Sequence, residues 1–201
     1  SSHYLRDVLL QASGSSAAQV LGIAVMPLLT RLYAPSDFSV LNLLTQLVSG
    51  LAVLLTSRFE YMVMLPSEKS ESDSILRLTI FLGVAHVLWL TPLLWFLSGE
   101  WAWLRSQGAI ANWLWITPIS AFALSLAVGL QQMVQRQGDF GSSAISEFVG
   151  RSAYVACTVV GALALPSIVG LMASTLVNGG AKVLWLMRSV GGNVRYWLLP
   201  N

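Results

Sequence analysis

Six apolar stretches run through the chain, and nine of its eleven Lys and Arg fall where every second connection between them would sit. A predominantly apolar helix of roughly 20 residues is what crosses the hydrocarbon core of a bilayer. Loops rich in Lys and Arg stay on the cytoplasmic side. The stretches read as spans at about 8–30, 38–65, 78–98, 113–135, 148–165 and 168–187. One side then holds Arg6, Arg58, Lys69, Arg77, Arg136, Arg151, Lys182, Arg188 and Arg195; the other holds only Arg31 and Arg105. The expectation is an all-α integral membrane protein with six transmembrane helices. Both ends of the segment are cytoplasmic, and the connections at Arg31, Arg105 and Pro166 face outward.

Only 10% of the residues are charged, the mean hydropathy is +0.69, and a soluble domain carries roughly 25% charged residues. The net charge of +2 arises at span ends rather than in a basic patch with interleaved aromatics, which excludes a nucleic-acid partner. The lone Cys157 lies in an apolar run, so neither a disulfide framework nor Cys/His metal spacing is present, and no cofactor is expected. The first apolar run is too long for a secretory signal and lacks its small-residue cleavage pattern, so it is expected to remain as an uncleaved anchor. The chain opens Ser-Ser and stops soon after a span, as a fragment of a longer chain would.

Local punctuation sets the span ends. Pro66 ends the second span, since its ring and missing N–H cannot continue a helix. Ser70-x-x-Asp73 reads as a capping box opening the third. Trp95, Trp101, Trp103 and Trp113 flank the 99–112 loop as an interfacial aromatic belt, and Pro166 forces a tight turn between the last two spans. Asp37 follows Pro35 in the first turn of a helix, where the positive dipole end stabilises it. Pro27, Pro92 and Pro118 each free a backbone carbonyl and permit a bend, a feature of transporters and of rigid bundles alike.

Several spans carry a polar face. Gln11, Ser15 and Gln19 recur at four-residue spacing in the first, beside a small-residue face of Gly14, Ala18 and Gly22. Asn42, Gln46 and Ser49 align in the second, and stepping 100° per residue returns Glu60 to that stripe while Arg58 points the opposite way. Ser174, Asn178 and Lys182 align in the sixth, with Thr117, Ser120, Gln131 and Gln135 a looser set in the fourth. Such residues either join helices, at about 1 kcal/mol or less per contact, or line a wet cavity. Charges say more, because each costs about 3 kcal/mol or more at the bilayer centre. Arg58 and Lys182 lie near cytoplasmic ends, where snorkelling and cavity lining are both open. Glu60 is expected to point inward towards a cationic partner. Arg151 shares a face with Tyr154 and Thr158, and His86 reads as a hydrogen-bonded His between helices or a proton carrier.

The segment Thr30 to Leu41, with Ser57-Arg58-Phe59-Glu60-Tyr61 and Leu65-Pro66, resembles the start of Wzx-type oligosaccharide flippases, the polysaccharide biosynthesis proteins of the multidrug/oligosaccharidyl-lipid/polysaccharide flippase superfamily. Leu130-Gln131-Gln132, Arg136 to Phe140 and Gly170-Leu171 carry the likeness further along the chain. Ser39 departs from the pattern, which usually has Gly there. The resemblance implies a two-lobe transporter of which this chain is the N-terminal six-helix lobe. It implies as cargo an undecaprenyl-diphosphate-linked oligosaccharide, moved across the bacterial inner membrane for O-antigen, capsule or exopolysaccharide. A coupling proton or sodium ion, membrane lipids and a polysaccharide polymerase are the implied partners. Arg31, Arg58, Arg151 and Lys182 would supply positive charge for the diphosphate, with Glu60, Gln19, Asn42, Gln46 and Asn178 as further candidate substrate contacts.

Two rival functions follow from the same residues. A drug or metabolite antiporter of the superfamily needs a carboxylate for its cation, for which Glu60 and Glu147 are the candidates. A membrane-embedded glycan polymerase or ligase needs outward loops with catalytic groups, whereas these loops offer only Arg31, Asp37, Glu100 and Arg105. No enzymatic activity is expected.

Overall fold

The computed structural model describes residues 2–100, 109–164 and 167–190. Among them the chain is helical, with no strand. The helices are α1 (Ser2–Leu32), α2 (Pro35–Thr56), α3 (Phe59–Met62), α4 (Lys69–Glu100), α5 (Ala109–Trp113), α6 (Thr117–Arg136), α7 (Phe140–Ala164) and α8 (Ser167–Ser189). A 3₁₀ turn at Leu114–Ile116 joins α5 to α6. The expected turn at Pro166, Trp101 and Trp103 of the aromatic belt, Arg105 and Arg195 lie outside the described residues.

Among the described residues five stretches are long and apolar enough to cross a membrane: Arg6–Leu32, Pro35–Thr56, Lys69–Glu100, Ile110–Arg136 and Val169–Ser189. The fifth expected span, within α7, is not among them, because Ser, Gly, Glu147 and Arg151 dilute its apolar content. At 25 residues α7 is nonetheless as long as its neighbours.

The second span is not one helix to Leu65. It stops at Thr56, where Ser57 (φ 49°) and Arg58 (φ 63°) adopt left-handed backbone, and α3 leaves in a new direction. Two non-glycine residues in that region cost roughly 1–2 kcal/mol each. The break lets Glu60 and Val63 turn into the bundle, where they are 3% and 0% exposed. The helix of the third expected span, α4, begins at Lys69, so Ser70 lies inside its first turn and donates to Glu68 Oε2 (3.3 Å) instead of heading a capping box. Near its start Ser72 ties it to the bundle, its hydroxyl donating to the Val63 carbonyl at 2.9 Å.

The link after Arg136 is three residues rather than twelve. Gly138 takes φ +78° to close α6, and Asp139 caps α7 by accepting the Ser142 N–H at 2.9 Å. The residues between Phe140 and Glu147 therefore form two turns of α7, and Glu147 becomes part of a helix face.

Two sub-bundles result. In one, α1 and α8 pack against α7; in the other, α2, α3 and α4 pack around α6, and α6 touches α8 to join them. Half of the window around α6 is buried, against 6% for α1 and for α4, so α6 is the pillar of the lobe. Small residues set the close approaches. A Cβ on Gly161 would come 2.6 Å from Gly170 Cα, so α7 and α8 meet backbone to backbone there. On α1 the small-residue face does the same work, Gly14 lying on Ala144 and Gly22 under the Arg151 guanidinium.

Candidate functional site

A cavity of about 270 Å³ opens where α1, α7 and α8 meet, lined by Ser15, Ala18, Gln19, Glu147, Arg151, Asn178 and Lys182. Helical period explains the grouping: Ser15 and Gln19, Glu147 and Arg151, and Asn178 and Lys182 are each four apart, so each helix presents one polar edge. Gly150 gives α8 room to bring Asn178 and Lys182 close, since a Cβ there would meet both side chains at 2.6 Å.

Two cations and one carboxylate line this cavity, leaving it one net positive charge. Lys182 Nζ donates to Glu147 Oε2 at 2.7 Å, with the side chains 17% and 26% exposed. Among the described residues Arg151 has no carboxylate within ion-pairing distance; its guanidinium carbon lies 5.4 Å from the centroid of the Tyr154 ring. Asn178 Oδ1 is buried with no hydrogen-bond partner among the described residues, an acceptor awaiting an O–H or N–H donor. The site can hold a compact anion through Arg151 and Lys182 and accept from an adjoining hydroxyl. A larger cavity, about 490 Å³, lies among Trp95, Phe96, Asn112 and Trp115, but its one charged lining residue among those described is Glu100, the wrong sign for an anion.

Four of the nine expected contact residues, Gln19, Arg151, Asn178 and Lys182, come together in this site. The other five do not. Arg31 is exposed in the last turn of α1, where a cation complements the helix dipole. Asn42 and Gln46 lie on an exposed face of α2. Arg58 is exposed at the break after α2, with its guanidinium 5.3 Å from the Tyr61 ring centroid. Glu60 points inward as expected, but it accepts from the Thr56 hydroxyl at 2.5 Å and packs near Gly129 and Leu76, in the other sub-bundle.

Several polar residues join helices or satisfy themselves. Gln131 and Gln135 of α6 both donate to Ser143 Oγ of α7, at 3.1 and 2.9 Å. His86 Nδ1 is 2.7 Å from the Leu82 carbonyl of its own helix, so its bond does not reach a neighbour. Asp37 Oδ2 accepts from Ala34 N–H at 3.2 Å while Asp37 N–H donates back to the Ala34 carbonyl, which accounts for that carboxylate locally.

Glu147, named from the sequence only as an antiporter's candidate carboxylate at the end of a loop, was not placed beside Lys182; its four-residue spacing to Arg151 was the available signal, and a second residue, Tyr33, was not singled out at all. Tyr33, in the link between α1 and α2, is 3% exposed and donates to the Thr158 carbonyl at 2.6 Å, pinning that link to α7. Burial, followed by nearby Tyr154, raises the pKa of its hydroxyl above 10.0.

No curated protein and no solved structure matches the chain. The family model for polysaccharide biosynthesis proteins matches residues 28–195, from the end of α1 through α8. That match spans most of the chain and includes α6, α7 and α8, and with the long apolar helices it makes this a multi-pass membrane protein. The chain belongs to the polysaccharide biosynthesis protein family.

Proposed function

We propose that this chain is the N-terminal six-helix lobe of a flippase that moves undecaprenyl-diphosphate-linked oligosaccharide across the bacterial inner membrane by alternating access, for O-antigen, capsule or exopolysaccharide synthesis. The observation that carries this reading is the net-positive cavity among apolar helices, with Arg151 free of a carboxylate among the described residues. Charge inside a membrane bundle is expensive, so it is kept where it meets a ligand. A diphosphate supplies the opposite charge, and Asn178 Oδ1 is placed to accept from a sugar hydroxyl. No bond is made or broken, so the protein is a transporter rather than an enzyme. A proton or sodium gradient drives it, a polysaccharide polymerase takes up its product, and both ends of the segment are cytoplasmic.

An antiporter for cationic drugs is less well supported, because both candidate carboxylates are engaged, Glu147 with Lys182 and Glu60 with Thr56. The test is complementation of surface polysaccharide by the full-length protein. Arg151→Ala should cut polysaccharide at least tenfold with protein level unchanged, and Arg151→Lys should restore part of it. Arg31→Ala and Arg58→Ala should leave it within twofold of normal. Normal polysaccharide from Arg151→Ala would remove the site on which the reading rests.

A further inference from the structure

The two cations of the cavity are not equivalent. Lys182 is held by Glu147 at 2.7 Å, whereas Arg151, lying over Gly22 and beside the Tyr154 ring, has no ion-pair partner among the described residues. Glu147 and Arg151 are four residues apart on α7, so the carboxylate sits one turn from Arg151 as well, roughly 6 Å between their Cβ atoms. Glu147 and Lys182 come from different helices and meet at the cavity wall, where both are partly exposed. Two uncompensated cations in an empty low-dielectric cavity would be costly, and the carboxylate neutralises one of them.

We propose that Glu147 is a built-in stand-in for the substrate's anionic head: it occupies Lys182 while the cavity is empty, yields that ammonium to an arriving diphosphate, and reclaims it as the substrate leaves. This rests on the flippase reading and adds a release device to the same site. The ion pair lowers affinity, since the ligand must displace a carboxylate already in contact, and it speeds departure by the same competition. A purely structural ion pair makes a different prediction: its loss weakens binding and transport together. A competitor gives opposite signs, with binding rising and transport falling when the carboxylate is removed.

The experiment uses full-length protein in lipid nanodiscs with farnesyl diphosphate as probe and uncharged farnesol as control. Glu147→Gln should tighten farnesyl diphosphate binding about tenfold, equivalent to about 1.4 kcal/mol, and reduce polysaccharide export in cells. Lys182→Met should weaken binding, and Glu147→Gln should bring no gain in the Lys182→Met background. Should Glu147→Gln fail to fold, Glu147→Asp, which keeps the charge but stretches the pair, should tighten binding about threefold. Unchanged or weaker binding in these Glu147 variants, or an equal gain without Lys182, overturns the inference; if Arg151→Ala still abolishes binding, the flippase reading survives it. Wild-type protein that binds farnesyl diphosphate no better than farnesol overturns both.

Discussion

A single hydroxyl shows how much one residue can hold in this lobe. Tyr33 reaches from the first interhelical link to the Thr158 carbonyl of α7, and Tyr33→Phe should lower stability by about 1–2 kcal/mol, read as a drop in melting temperature in detergent. Because the folded protein raises this hydroxyl's pKa, its contribution is complete below the unfolded value and is lost as pH rises through the folded one. Stability should therefore fall above about pH 10, and Tyr33→Phe should flatten that alkaline limb. Glu60 makes a second case. Thr56→Val removes the hydroxyl that donates to a carboxylate only 3% exposed, and an unsatisfied buried acceptor should cost about 1–3 kcal/mol. An unchanged melting temperature would show that another donor takes over. Glu60 does lie inward, but not for the reason helical stepping gave: the Asn42 and Gln46 stripe it was stepped onto is exposed, and the break at Ser57 and Arg58, which leaves no mark in the apolar pattern, is what turns Glu60 into the bundle.

Among the elements, α7 and α8 are held closest by their glycines. Gly161→Ala would place a Cβ 2.6 Å from Gly170 Cα, against backbone that cannot swing aside, and should destabilise by about 1–3 kcal/mol. Gly50 of α2 has nothing within 4 Å of its would-be Cβ, so Gly50→Ala should be neutral or stabilising by up to about 1 kcal/mol. Opposite shifts in melting temperature from the same chemical change would separate helix contact from helix propensity. The small-residue face of α1 was readable in advance, since Gly14, Ala18 and Gly22 repeat at four. The length of α7 was not, because its first two turns are too polar to read as a span; only Gly138 and Asp139, as stop and cap, mark where it starts.

For the whole molecule, the expected six-span arrangement has a direct check. With Cys157 and any other native Cys of the full-length protein replaced by Ser, a single Cys at Ser36 should react with a membrane-impermeant maleimide added to intact spheroplasts. One at Ser70 or Ser142 should react only after permeabilisation. Labelling of Ser142 from outside would mean that α7 does not cross with the polarity assigned to it. The sequence by itself determined the all-helical membrane architecture, because apolar length and polar interruptions act locally along the chain. It also marked Arg151, Asn178 and Lys182 as worth explaining, since a charge or amide in such surroundings needs a partner. Only the tertiary structure decided which helices share those polar edges. Period places a residue on a face but does not say what the face meets. The meeting of α1, α7 and α8 depends on Gly22, Gly150 and Gly161 letting the helices close, and that closure sets Glu147 against Lys182 and leaves Arg151 to the cavity.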